Sequence, residues 1–283
     1  MADDAAYLEH RGLVVRIAYD ITGSWADAED VAQQTYVRWR GVTTEVEHPR
    51  AYLARIATNL ALDAVARRDT VGYPGTFLPE PVATGPGSDE SLAVAAEVEV
   101  ALMVVLGTLS PLERAAFLLH DVFGFSHAEV AEMLGRQPAA VRQLAARSRN
   151  HVEARRPDPA PVDEADLRVL TGRFLYAARQ GDVAELASYL TADAVFIGDG
   201  GGKRTTALRP VRGAEKVARL LVALATNLTP QTRIEMVEAN HRPALAIYLD
   251  EELDQVLWLV LRDGRIDQLL AVRNPDKLRT ILA

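Results

Sequence analysis

The stretch Phe125-Ser126-His127-Ala128-Glu129-Val130-Ala131-Glu132-Met133-Leu134-Gly135-Arg136-Gln137-Pro138-Ala139-Ala140-Val141 carries the start, stop and restart signals of two helices. Ser126 and Glu129 have the spacing of a capping box, and Phe125 and Val130 stand where a hydrophobic staple packs. Gly135 follows Leu134 as a left-handed C-terminal cap. Pro138 opens the next helix at a position where its missing N–H is not needed. Two helices joined by so tight a turn, within Leu112 to Val152, form a helix-turn-helix, the unit that lays its second helix in the DNA major groove.

The second helix has two distinct faces. Val141, Leu144, Ala145, Ser148 and Val152 fall on one stripe and are expected to pack inward. The opposite face carries Ala139, Arg142, Gln143, Ala146, Arg147 and Asn150. Small residues permit close approach to base edges, while Gln and Arg supply the donors that read A and G. Between Arg136 and Arg156 six arginines (136, 142, 147, 149, 155, 156) face one acid, Glu153. An ordinary amphipathic helix with a solvated basic face is the bland alternative.

Composition bounds the rest. A chain of 283 residues with 49% hydrophobic and 25% charged residues reads as a folded protein of two or three domains. No apolar run approaches the roughly 20 residues of a membrane span. The segment from Met1 to His10 carries acids where a secretory signal is basic, so a cytoplasmic location is expected. Zero cysteines exclude disulfides, cysteine nucleophiles and thiolate zinc sites. The six histidines are scattered, and neither a metal nor a cofactor is expected. The net charge of −8 is unusual for a DNA-binding chain, but counterion release rewards local clusters of cations rather than the sum. Weak DNA binding by the free chain follows, with a partner supplying the remainder.

The chain divides into three blocks. Residues 1–69 read as helices, and residues 70–91 form a linker rich in Gly and Pro. Helices resume over residues 92–156, a second break at 157–162 holds Pro157, Pro159 and Pro161, and the period changes over 163–283. There, helices at Glu164 to Gln180 and Asp182 to Leu190 lead to a short strand near Val195. A helix at Gly213 to Ala225 follows, then strands at Thr232 to Glu238, Ala244 to Leu249 and Gln255 to Leu261. Asp263-Gly264 signals a hairpin into a last strand, Arg265 to Val272. Helices followed by an antiparallel meander imply an α+β domain.

The first block contains Asp27-Ala28-Glu29-Asp30-Val31-Ala32-Gln33-Gln34-Thr35-Tyr36-Val37-Arg38-Trp39, then Pro49-Arg50-Ala51-Tyr52-Leu53-Ala54-Arg55-Ile56-Ala57-Thr58-Asn59-Leu60. These segments resemble region 2 of the extracytoplasmic-function (ECF) sigma factors, and the helix-turn-helix resembles their region 4. The resemblance implies a chain of several domains: a region 2 helical bundle, a region 4 helix-turn-helix, and the α+β extension. It also implies a protein that binds bacterial RNA polymerase core and directs it to promoter DNA. Asp27, Glu29, Asp30, Gln33 and Gln34 would dock on the polymerase clamp helices; three acids within four residues exceed what a helix dipole needs. Arg55, Asn59, Asp63 and Arg67 recur at i+4, with Leu53, Ile56, Ala57, Leu60 and Ala64 on the buried side. By resemblance that ridge reads the −10 element and the helix-turn-helix reads the −35 element. Taken without the family, the same ridge is an ordinary ladder of i,i+4 ion pairs.

The extension resembles the SnoaL-like domains, cone-shaped α+β folds with a pocket. Three motifs match sigma factors with such a fusion: Leu78-Pro79-Glu80-Pro81, Asp199-Gly200-Gly201-Gly202-Lys203, and Asn274-Pro275-Asp276-Lys277-Leu278. By analogy they mark a regulatory contact, with the glycine loop packed near Leu78 to Pro81. The linker has Phe77 where the family pattern suggests Trp, and Gln137 stands at an N-cap where Ser caps better. Each motif also has a bland reading, a flexible hairpin for the glycines and a helix cap for Asn274. The free protein is expected to be a monomer without membrane attachment, and a small ligand in the C-terminal pocket stays open. Two alternatives stand beside this reading. One is a ligand-responsive helix-turn-helix regulator, against which the Asp27 to Gln34 face argues. The other is a catalytic SnoaL-like domain using Asp193, His241, Tyr248, Asp250 or Trp258, whereas the main reading expects no enzyme.

Overall fold

The computed structural model describes residues 4–84, 98–155 and 164–281, with side chains from Leu167 onward in the last segment. It separates into two units, Met1–Gly72 with Pro86–Arg156, and Tyr73–Gly85 with Pro157–Ala283. The linker-like stretch 70–91 is therefore not one uniform spacer. Helix α3 runs through Val71, Gly72 turns the chain at φ +80°, and the residues from Tyr73 onward belong with the C-terminal domain.

In the first unit, α1 (Asp4–Thr22), α2 (Trp25–Arg40) and α3 (Pro49–Val71) pack as an all-α bundle. Its core joins Val14, Ile17 and Tyr19 of α1 to Val31 and Trp39 of α2 and Leu53 and Leu60 of α3, all buried. Ser24 caps α2 by accepting from the Asp27 N–H, and the Tyr7 hydroxyl ties α1 to α2 by donating to the Ala32 carbonyl at 2.8 Å. The second half holds α4 (Val100–Gly107), α5 (Pro111–Phe117), a π-helical turn (Leu118–Val122), α6 (His127–Met133) and α7 (Pro138–Glu153). Two arginines fasten the halves together. Arg114 donates to the Ile21 carbonyl at 2.8 Å, and burial pulls its pKa down to about 10, still charged at neutral pH. Arg50 donates to the Phe123 carbonyl at 2.7 Å and lies over the Phe125 ring.

In the second unit, α8 (Glu164–Gln180), α9 (Val183–Ser188) and α10 (Ala214–Ala225) accompany six strands, β1 (Leu190–Asp199), β2 (Val211–Arg212), β3 (Arg233–Ala239), β4 (Arg242–Leu249), β5 (Glu252–Arg262) and β6 (Arg265–Val272). The sheet order is β2-β1-β6-β5-β4-β3. Strands β3 to β6 form the expected antiparallel meander, while β1 runs parallel to β6. Phe174, Phe196, Val217, Leu221, Leu257 and Leu269 share one core. Alternate residues in the same strands, Ala246, Val256, Trp258 and Leu270, are buried on the other face, as period-2 strands require.

Two sequence expectations need correction here. The helix expected to reach Leu190 stops at Ser188, and the short strand near Val195 is a ten-residue strand starting at Leu190. Pairing of Leu190 with Ile266, far away in sequence, overrides the local helical pattern. The two-residue β2 is an edge addition with no periodic signal of its own.

Candidate functional site

The helix-turn-helix is assembled by the local chemistry of its caps. Ser126 and Glu129 form the reciprocal capping box. Gly135 adopts φ +60°, its N–H bonds the Glu132 carbonyl and the next N–H, of Arg136, bonds the Ala131 carbonyl, the pair of bonds that closes a Schellman motif. Pro138 is the first residue of α7, and Gln137 makes no side-chain cap bond. A second capping box, Ser110 with Glu113, opens α5.

Helix α7 buries Val141, Ala145, Ser148 and Val152 and half-buries Leu144. Ser148 also donates to the Glu113 carbonyl, fixing the rotation of α7 against α5. Ala139, Arg142, Gln143, Ala146, Arg147 and Asn150 are all exposed on the opposite face. The arginines are not equivalent. Arg147 lies 3.5 Å from Glu113 and Arg149 2.9 Å from Asp121, whereas Arg142 has no acidic partner among the described residues.

On α2, Glu29, Asp30, Gln33 and Gln34 are exposed along one side. Asp27 differs from them. It is half-buried, its N–H is taken by the Ser24 cap, and its carboxylate lies 3.8 Å from Arg68 of α3. On α3, Asn59, Asp63 and Arg67 are exposed and Arg55 half-exposed on one ridge, opposite buried Leu53, Ile56, Ala57, Leu60 and Ala64. Arg55 meets Glu132 of α6 at 3.4 Å, and Arg55 and Asn59 line a cleft with Met133 and Gly135. In this conformation two of the four ridge residues thus face the helix-turn-helix.

The three motifs flanking the C-terminal domain converge on one carboxylate. Asp199, fully buried at the end of β1, accepts four bonds, two on each oxygen. One oxygen takes the Tyr73 hydroxyl at 2.5 Å and the Gly201 N–H at 3.0 Å. The other takes the Leu78 N–H at 2.9 Å and the Lys277 ammonium at 2.7 Å. Lys277 also donates to the Leu78 carbonyl, and its ammonium lies 3.1 Å from the centre of the Phe77 ring. An aromatic face is what this site asks of residue 77, and Phe supplies it as Trp would.

Glycine is required in this clasp. Gly201 has φ +58°, and a Cβ there would overlap the Asn274 carboxamide; one on Gly202, at φ +72°, would press on Pro74. Asn274 caps the turn Pro275–Lys277 and donates to the Tyr73 hydroxyl. Lys203 pairs with Asp276 at the surface. Pro79, Glu80, Pro81 and Leu278 are buried, Thr280 donates to the Pro81 carbonyl, and Asn240 bonds both faces of Val82. Sequence reading missed Tyr73, Thr280 and Asn240, which carry no motif of their own.

The catalytic alternatives are dispersed. One cavity of the domain is lined by Phe174, Phe196, Leu221, Leu257, Asp254 and Arg273 among others, a smaller one by Leu167, Met236 and Leu259 among others, and neither by Asp193, His241, Tyr248, Asp250 or Trp258. Asp193 is exposed, and backbone hydrogen bonding first, then its partner Arg262, holds its carboxyl below the usual range. Asp250 and His241 sit in hairpin turns at positive φ, Tyr248 lies under Arg233, and Trp258 donates to the Ala239 carbonyl. No group of three potential ligands that could hold a metal exists among the described residues, and none of their helices is long and apolar enough to cross a membrane.

A helix-turn-helix with one exposed side, joined to a helical bundle with an acid-rich side, is the arrangement expected above of a promoter-recognition protein. Residues 6–71 match the family model for Sigma-70 region 2, and residues 99–152 that for Sigma-70, region 4. The ECF RNA polymerase sigma factor SigJ of Mycobacterium tuberculosis is 38% identical across 93% of this chain and 89% of its own. The probable ECF sigma factor SigI of the same organism is 27% identical across 99% and 96%. The crystal structure of SigJ aligns with a TM-score of 0.78 at 34% identity, covering 98% of this chain and 99% of that one. The chain belongs to the ECF RNA polymerase sigma factors, which bind polymerase core and direct promoter-specific initiation. Similarity to sigma factors over 93% and 99% of the chain favours the sigma factor reading over a ligand-responsive helix-turn-helix regulator.

Proposed function

We propose that this sigma factor is set by its C-terminal domain through the Asp199–Lys277 clasp on the linker. The observation that carries the reading is the double use of Lys277, which binds Asp199 and the Leu78 carbonyl at once. Leu78 lies on the chain segment between regions 2 and 4, so anchoring it limits how far those regions can separate. Their separation must match the two promoter elements. Helix α7, through Arg142, Gln143 and Asn150 between small Ala139 and Ala146, reads the −35 element, with Arg147 on its edge. The α3 ridge Arg55, Asn59, Asp63 and Arg67 reads the −10 element once Arg55 leaves Glu132. Glu29, Asp30, Gln33 and Gln34 dock on the clamp helices, with Asp27 in a mainly structural place.

The C-terminal domain acts as a regulatory and non-catalytic module that can take a small ligand, in a monomeric cytoplasmic protein. Its cavity acid, Asp254, is held by Arg273 in a bidentate pair and is not poised as a base. The test is in vitro transcription with core polymerase and a Lys277→Met variant of the full chain. Output several-fold away from that of the unaltered protein supports the reading. Equal output at equal folded protein overturns it.

A further inference from the structure

We propose that the C-terminal domain carries a DNA-contacting surface of its own, a basic run on the crossing from β1 to α10 that grips promoter duplex through its phosphates. The inference rests on membership of the sigma factors and is independent of the clasp reading.

From Lys203 to Arg219 the sequence holds six cations (203, 204, 209, 212, 216, 219) against one acid, Glu215, in a chain whose net charge is −8. Counterion release rewards such local density whatever the total. Two of the six are spent within the domain. Lys203 pairs with Asp276, and Arg219 takes Glu215, the single acid of the run. Arg204, Arg209, Arg212 and Lys216 are all exposed, and none has an acidic partner among the described residues.

These four side chains are presented from a fixed backbone. The Lys203 and Arg204 N–H groups bond the Gly200 carbonyl, which folds the start of the run back on the end of β1. Arg273 donates to the Thr205 carbonyl at 2.7 Å. Arg212 pairs with Val195 in β2, the edge of the sheet, and the Gly213 N–H bonds the Ala194 carbonyl at 2.8 Å. That last bond fixes the start of α10, and Lys216 with it. A ligand therefore has side chains to order here but no backbone. Charge and proline also guard a sheet edge against pairing with another strand. Pro210 and Arg212 suffice for that purpose, which leaves Arg204, Arg209 and Lys216 without a role in it.

Composition selects duplex DNA over an acidic protein surface. The centres of protein interfaces are depleted in charge and built on large apolar or aromatic anchors. In this run Leu208, 66% exposed, is the single exposed large apolar side chain. Phosphate contacts are made instead by Arg, Lys and Thr, and exposed Thr205 stands beside Arg204. The run has no Phe, Tyr or Trp, so it offers unstacked bases no platform. Contact with the backbone of a duplex, without regard to sequence, is the chemistry that remains.

The test measures binding of the full-length protein, with core polymerase, to a promoter fragment across a range of salt. Arg209→Gln with Arg212→Gln and Lys216→Gln should weaken binding about 10- to 100-fold near physiological salt and flatten the slope of log affinity against log salt by about 2–3. The loss should be the same on matched and mutated −35 sequences. A control that removes three exposed cations elsewhere in the domain, Arg173→Gln with Arg179→Gln and Arg265→Gln, should change the slope by less than about 1. The chain has no cysteine, so Leu208→Cys gives one site for a photo-crosslinker attached before assembly. It should label promoter DNA. An unchanged slope, a control that flattens it equally, or crosslinks to polymerase subunits and none to DNA would each overturn the proposal. Lys277 is untouched in all these variants, so their failure leaves the clasp reading to its own transcription test.

Discussion

Lys277 places its ammonium 2.7 Å from the Asp199 carboxylate with the two side chains 6% and 0% exposed, so this ion pair is nearly dry. A buried pair of this kind is costly to break from one side, because the remaining charge stays desolvated. Asp199 holds three further donors, two on one oxygen and one on the other, so the NH2 of Asp199→Asn sets a donor against at least one of the Tyr73 hydroxyl and the Leu78 and Gly201 N–H groups. Lys277→Met and Asp199→Asn should each destabilise the protein by about 3–5 kcal/mol. The double variant should cost clearly less than the two single changes together. Urea unfolding of the four proteins gives the coupling; simple additivity would show that the pair contributes nothing as a pair.

Polymerase docking predicts a different behaviour for neighbouring acids. Asp30→Arg with Gln34→Arg changes two exposed side chains on α2 and should abolish co-purification with core polymerase while the melting temperature holds. Asp27→Ala keeps the N–H that Ser24 caps and loses only the carboxylate facing Arg68, so it should instead lower stability by up to about 1 kcal/mol, the scale of such an ion pair, and leave docking near normal. Normal core binding by the double variant would refute the docking face.

The reading face of α7 can be separated from its electrostatics. Arg142→Ala and Gln143→Ala should each remove about 1–3 kcal/mol of discrimination between correct and altered −35 sequences. Arg155→Ala, past the end of α7, should weaken all sequences alike and reduce the salt dependence of binding. Binding of the polymerase complex to matched and mutated promoters distinguishes them. Uniform losses for all three variants would leave only charge.

Acid should loosen the helix-turn-helix before it attacks the rest. His127 stacks on His120 at 3.8 Å, and burial first, then His120, Arg142 and Arg149 against the opposing Asp121, keep its pKa below the ordinary 6.5. The unfolded chain therefore takes up this proton more readily than the folded one, and stability declines as pH falls below 6.5. Between about pH 7.5 and about pH 5.5 the melting temperature should drop, and His127→Gln should drop less. Glu113 and Glu129 are held below the ordinary 4.5 chiefly by the Ser110 and Ser126 hydroxyls, so the stability their capping boxes provide is lost only further down, as pH falls through those lowered values. Parallel pH profiles for wild type and His127→Gln would count against this assignment.

What the sequence revealed follows the range of the interactions involved. Ser126, Glu129, Gly135 and Pro138 act within one turn of their own positions, so the helix-turn-helix was readable residue by residue. The meander was readable because strand alternation and the Asp263-Gly264 turn are local as well. The linker was not. Its Pro and Gly content describes a spacer, yet Leu78 and Val82 are buried through partners at Asp199, Asn240 and Lys277, more than a hundred residues away. Family motifs pointed to that contact, but they gave no sign of Tyr73, whose hydroxyl sits between Asp199 and Asn274. The Arg273–Asp254 pair was equally hidden, since it forms only when β5 and β6 are in register.

Whether the C-terminal domain sets sigma activity through the clasp is decided by in vitro transcription with three chains. These are the full-length protein, one ending at Asn274, and one ending at Pro157. The first truncation removes Lys277 and Thr280 but keeps the sheet, and the second removes the whole domain. Three distinct transcription levels are expected at equal polymerase and promoter, because a loosened clasp and an absent domain leave the linker in different states. Identical output from all three chains would contradict it.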